Sequence, residues 1–151
     1  MFNYITTNPL QTKKLGEILA RESLKTKDRK TALVIGLEGD LGGGKTTFLQ
    51  GFAKELKIKE KILSPTFVIM KKFEIPQSVI GNTYNTFYHI DCYRIKKTKE
   101  LLALRFKEIV SNPKNIITIE WADMVQKMLP KTTIILKFKF IDQKTRKITI
   151  Q

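Results

Sequence analysis

The chain predicts an α/β layer fold whose sheet is mixed, parallel in its middle and antiparallel toward its sides, and three observations predict it. Apolar runs of strand length alternate with helically spaced segments along the sequence. Two of the runs, 32–38 and Asn115–Glu120, are almost continuously apolar, as strands buried on both faces are. A glycine-rich loop, 39–46, joins the first of these runs directly to a helical segment.

In chain order, helix 10–24 follows an Asn8 cap and a first-turn Pro9, and carries Leu15, Ile18 and Leu19 at helical spacing. Strand 32–38 and the glycine loop come next. A second helix runs from Thr46 to about Leu56, with Phe48, Phe52 and Leu56 on one stripe. Residues 67–70 and 85–91 read as strands of a long hairpin connected through Pro76 and Gly81-Asn82. Helix 99–110 buries Leu101, Leu102, Leu104, Ile109 and Val110 and stops at Asn112-Pro113. Strand Asn115–Glu120 and a short helix, 122–129, precede Pro130. Residues 133–141 and 146–150 flank 142–145 as a terminal hairpin. With 151 residues, 42% of them apolar, and no internal repeat or linker, the sequence predicts one domain over 1–151.

No run of eighteen apolar residues occurs, and the first residues lack the basic-then-apolar order of a secretory signal, which predicts a cytoplasmic protein without membrane contact. Cys92 is the single cysteine; alternating with large residues in a strand, it reads as a small hydrophobe rather than a nucleophile. Twenty-eight Lys and Arg against fourteen Asp and Glu give a formal charge of +14, which attracts polyanions such as nucleic acid. The lysines are scattered along the whole chain, so a binding face and a merely lysine-rich composition both account for them.

Gly39-Asp40-Leu41-Gly42-Gly43-Gly44-Lys45-Thr46 matches the phosphate-loop pattern and stands in the strand-to-helix context that the motif needs. By average residue usage its four fixed positions recur by chance in on the order of 1% of chains this long. Glycines let successive amide N–H groups turn inward onto phosphate oxygens, and the following helix N-terminus adds positive potential. Lys45 is placed to reach the β and γ phosphates of ATP, and the Thr46 hydroxyl to join the shell of Mg2+. The fold class thereby narrows to the three-layer sandwich of a P-loop NTPase. Such a site also needs an acid at the end of a neighbouring strand, and Glu120, which ends an apolar strand, fits. No Asn-Lys-x-Asp follows to read guanine.

Four separated blocks together resemble one family. They are the loop 39–48, Ser64-Pro65-Thr66-Phe67, Tyr88-His89-Ile90-Asp91-Cys92-Tyr93-Arg94, and Ile119-Glu120-Trp121-Ala122-Asp123. Their order and spacing are similar to those of TsaE (YjeE), the ATPase of bacterial tRNA threonylcarbamoyladenosine (t6A) synthesis, over about residues 5 to 150. The resemblance implies Mg-dependent hydrolysis of ATP to ADP and phosphate by a protein that works with TsaD and TsaB and is not itself the transferase. It implies tRNA as an indirect partner and leaves direct contact open. It also implies a nucleotide site of Gly39, Asp40, Leu41, Gly42, Gly43, Gly44, Lys45, Thr46, Thr47, Thr66 and Trp121. Thr66 would sense the γ-phosphate, Asp91 would orient or activate water, Glu120 and Thr46 would hold Mg2+, and the adenine pocket would lie partly at 6–9. His89 reads as a packed or hydrogen-bonded structural residue. Tyr93 and Arg94 read as partner-contacting or loop-bracing. The chain departs from the family pattern at Gly43 (usually Ala), Cys92 (commonly Leu) and Ala122-Asp123 (commonly Pro-Glu), and in its basic charge.

The same loop also serves metabolite kinases, but these add a lid and an acceptor pocket for which no insertion is evident. A binding module switched by nucleotide is the third reading.

Overall fold

A computed structural model describes residues 1–64, 68–79 and 81–151. Seven strands, β1 (Phe2–Thr6), β2 (Leu33–Gly39), β3 (Met70–Glu74), β4 (Thr86–Asp91), β5 (Asn115–Glu120), β6 (Ile134–Phe140) and β7 (Arg146–Ile150), form one sheet in the order β1-β7-β6-β2-β5-β4-β3. The pairs β6–β2, β2–β5 and β5–β4 are parallel; β1–β7, β7–β6 and β4–β3 are antiparallel. The centrally parallel, mixed sheet expected from the sequence is therefore observed.

Helices α1 (Pro9–Leu24) and α2 (Lys45–Glu55) cover one face. Asn8 caps α1 as expected, its Oδ1 accepting from the Gln11 amide at 2.9 Å, and Pro9 occupies the first turn. Phe48, Phe52 and Leu56 are fully buried and pack with Phe87 and Phe138 of the sheet. The two helix backbones nearly touch: a Cβ on Gly16 would lie 2.1 Å from the Phe48 carbonyl oxygen, and one on Gly51 would lie 1.9 Å from that of Lys13.

The opposite face carries α3 (Thr98–Leu102), α4 (Phe106–Ser111) and a 3-10 helix (Ala122–Met128) over a second core. Here one expectation is corrected. The single helix over 99–110 is broken at Arg105, which takes a left-handed conformation, φ 60°. Leu101 and Phe106 are both buried, yet five residues along one α-helix they would point about 140° apart, so the break lets both reach the core. The short helix expected after Glu120 is present as a 3-10 helix, kinked at Val125. Its buried residues, Ala122 and Val125, are three apart, the spacing that a 3-10 helix stacks on one side.

The hairpin before Asp91 is present, with its first strand at Met70–Glu74 instead of 67–70; Phe67 lies outside the described residues. The terminal hairpin is also present. Strand β1 was not expected: four of its five residues are exposed at the sheet edge, so no buried alternation announces it. Among the described residues no helix is long and apolar enough to cross a membrane.

Candidate functional site

The loop after β2 opens at the carboxyl edge of the parallel strands, where ligand sites of such sheets form. It borders a cleft of about 250 Å3 lined by Leu41–Thr47, Pro9 and Thr12 from α1 and its first turn, Ser64, Glu120, Trp121, and Gln143, Lys144 and Arg146 from the β6–β7 hairpin. Lys45 is 5% exposed. Its ammonium donates to the Gly39 carbonyl at 2.6 Å and the Asp40 carbonyl at 2.8 Å and lies 4.1 Å from the centre of the Trp121 ring. Burial pushes the Lys45 pKa down from its ordinary value, and the carboxylates of Glu120, Asp123, Asp40 and Asp91 pull against that.

Four buried side chains converge at the ends of β4 and β5. The register pairs Phe87 with Ile116, His89 with Thr118, and Asp91 with Glu120, all on the face that α2 covers. Glu120 is 2% exposed. Its Oε1 accepts from the Thr46 hydroxyl at 2.9 Å, and its Oε2 lies 2.8 Å from His89 Nε2. Asp91 accepts through Oδ2 from the Ser64 hydroxyl at 2.8 Å and through Oδ1 from the Tyr93 amide at 2.9 Å. Asp91 does not line the cleft; it adjoins it through Ser64.

This arrangement fits the donor set of Mg2+. Thr46 and Glu120 offer hard oxygens, and because the hydroxyl donates its hydrogen to Glu120, its lone pairs stay available. A site of one or two protein oxygens is usual where phosphates and water complete the shell. Among the described residues no group of three or more His, Cys, Asp or Glu forms a self-sufficient metal cage.

The model of the family described as threonylcarbamoyl adenosine biosynthesis protein TsaE matches residues 6–148. The chain belongs to the TsaE family. It is 33% identical over 144 residues to the tRNA threonylcarbamoyladenosine biosynthesis protein TsaE of Bacillus subtilis, covering 95% of this chain and 81% of that protein. It is likewise 33% identical over 147 residues to the TsaE of Rickettsia felis, covering 97% and 77%. A solved structure, the crystal structure of Bacillus subtilis YdiB, superposes with a TM-score of 0.70 at 29% identity, covering 99% of this chain and 83% of that one. The phosphate loop, the 88–94 block and the 119–123 block all fall inside the stretch that the TsaE model matches.

Of the residues singled out from the sequence, Lys45, Thr46, Glu120 and Trp121 come together, with Leu41, Gly42, Gly43, Gly44 and Thr47 lining the same cleft. Gly39 and Asp40 enter through their carbonyls. Thr66 lies outside the described residues. Tyr93 and Arg94 are both exposed, and the Tyr93 ring lies tilted against Trp121, ring centres 4.9 Å apart.

Arg146 and Thr12 were missed. Arg146 donates to the Gly42 carbonyl at 3.0 Å and lies 4.6 Å from the centre of the Phe140 ring. It is 104 residues from Gly42, and no local pattern links them. His89 is buried and hydrogen-bonded as expected; its partner, Glu120, was not named from the sequence, although the period of two was an available signal: 87, 89 and 91 share a face.

Proposed function

We propose that this chain binds ATP with Mg2+ and hydrolyses it to ADP and phosphate for tRNA t6A synthesis, working with TsaD and TsaB as the energy-using component and not as the transferase. The contact of the Thr46 hydroxyl with Glu120 at 2.9 Å, at the mouth of the phosphate loop and beside Lys45, carries this reading. The names of its TsaE relatives support the pathway. The one sheet supports a single ATPase domain over 1–151.

In this mechanism the loop amides and the N-terminus of α2 hold the phosphates. The Lys45 ammonium exchanges two loop carbonyls for phosphate oxygens, whose negative charge offsets the burial that disfavours it. Thr46 and Glu120 would hold Mg2+, which would supply neutralisation of the phosphate charge. Asp91, fixed by Ser64 and the Tyr93 amide, keeps lone pairs with which to orient the attacking water. Trp121 walls the cleft beside Lys45. tRNA enters through the partner proteins.

The test is ATP turnover with and without TsaB and TsaD, alongside t6A content of tRNA in cells lacking the protein. Stimulated turnover and lost t6A are expected. Phosphate appearing on a small metabolite would make the chain a kinase, and binding without hydrolysis would make it a nucleotide-switched module.

A further inference from the structure

His89 is the only histidine in the chain and is fully buried. Its Nε2 lies 2.8 Å from Glu120 Oε2, while its Nδ1 is buried and has no hydrogen-bond partner among the described residues. Two arguments fix the tautomer. A hydrogen on Nδ1 would strand a buried donor, and it would leave the Nε2 lone pair facing a carboxylate lone pair. A hydrogen on Nε2 avoids both and makes a charge-assisted bond to Glu120.

Glu120 ends β5 with both oxygens engaged, one by Thr46 of α2 and one by His89 of β4. A carboxylate held at one oxygen can still rotate about its last bond; held at both, from two different elements, it keeps one orientation. The backbone of His89 is itself held by the sheet, its register partner Thr118 standing two residues before Glu120 on the adjacent strand.

We propose that His89 is a positioning residue for Mg2+-dependent nucleotide binding: its Nε2–H holds Glu120 Oε2 so that Oε1 stays on the Thr46 hydroxyl. The proposal rests on the reading of Thr46 and Glu120 as the metal-side pair. It gives the lone histidine a role that packing alone would not require.

The first experiment needs no variant of His89. With 15N-labelled histidine, the nucleotide-free protein yields a single imidazole spectrum. A pyrrole-like Nε2 and a pyridine-like Nδ1 are expected, with both resonances displaced in Glu120→Ala. An Nδ1–H tautomer, or a spectrum indifferent to Glu120→Ala, overturns the proposal.

The second measures ADP binding by calorimetry across a magnesium titration for His89→Gln and His89→Leu. The Gln amide nitrogen can occupy the place of Nε2, so this variant should keep the wild-type magnesium dependence. Leu should weaken it about 10–100-fold, the usual effect of removing an outer partner of a metal ligand. An unchanged Leu variant, or equal losses in both variants with the circular dichroism intact, overturns the proposal. Should His89→Leu fail to fold, the tautomer measurement decides alone. If wild type shows no magnesium-dependent nucleotide binding, the ATPase reading fails, and the spectrum still decides whether His89 holds Glu120.

Discussion

Gly39 is where the phosphate loop is most tightly tied to the sheet, and Gly39→Ala should show it. Its φ is +125°, outside the region that L-residues with a Cβ tolerate, and an added Cβ would stand 2.0 Å from the Phe138 carbonyl oxygen of β6. That atom is backbone in a paired strand, register partner to Gly39 itself, so it cannot step aside as a side chain could. Backbone strain of this kind costs roughly 1–3 kcal/mol and overpacking roughly 1–3 more, giving a loss near about 4 kcal/mol. For a domain of this size that lowers the melting temperature by about 8–16 °C. Gly42→Ala is the control in the same loop. Its φ is +73° and nothing lies within 4 Å of the added Cβ, so only about 1 kcal/mol and about 2–4 °C should be lost. Thermal unfolding followed by circular dichroism reads both, with ADP binding measured in parallel. Equal shifts, or a Gly39→Ala protein melting within about 2 °C of wild type, would refute the reasoning that steric contact with β6 fixes the loop.

Lys45→Ala should abolish ATP binding or hydrolysis, and Thr46→Ala and Glu120→Ala should weaken the magnesium dependence of turnover; near-normal rates in all three would defeat the assignment. Arg146→Ala removes the tether to Gly42 and a wall of the cleft, so ADP affinity by calorimetry should fall by about tenfold, equivalent to about 1.4 kcal/mol. Cys92 is fully buried, and burial together with the charge of Asp91 pushes its thiol up to about 12, so alkylating reagents at neutral pH should label it only as fast as the protein unfolds. The same shift has a defined sign: the folded state holds the thiol proton more tightly than the unfolded one, so its contribution is complete below about pH 9 and declines from there to about 12, by at most about 1.4 kcal/mol per unit. Cys92→Ala should flatten that alkaline limb in denaturant titrations, and an unchanged slope would count against it.

The parts of this molecule legible in the sequence are those whose physics is local. The loop 39–46 could be placed because its glycines, lysine and threonine act within one turn, and α1 because Asn8 and Pro9 mark its start. Glu120 could be placed because a charge at the end of an apolar run must leave the sheet at its edge. What escaped depends on contacts between distant segments. Nothing around Arg105 announces a break, since that break answers the demand of Leu101 and Phe106 for one core face. β1 forms because β7 offers it an unpaired edge, and Arg146 reaches Gly42 only once β7 lies beside β6. Thr12, which lines the cleft and lies 2.8 Å from the Thr6 hydroxyl, belongs to the same class.

The pair of strands β4 and β5 shows how the site is kept rigid at the carboxyl end of the parallel strands. Along one face the paired residues run from Phe87 and Ile116, both fully buried and apolar, through His89 and Thr118, buried with polar atoms, to Asp91 and Glu120 at the carboxyl end. Each step is more polar than the last, and each polar group is held by an element other than its own: His89 by Glu120, Glu120 by Thr46 of α2, Asp91 by Ser64. A carboxylate buried without such partners would incur a desolvation cost of several kcal/mol and would hold a proton instead. Because α2 begins at the phosphate loop, the contact that satisfies Glu120 also fixes the first turn that follows the loop. Stabilising the acid and ordering the first turn of α2 are therefore one interaction. Thr46→Ala or His89→Leu should disturb nucleotide binding well before it unfolds the sheet, since Phe87, Ile116 and the aromatic contacts beneath them remain untouched.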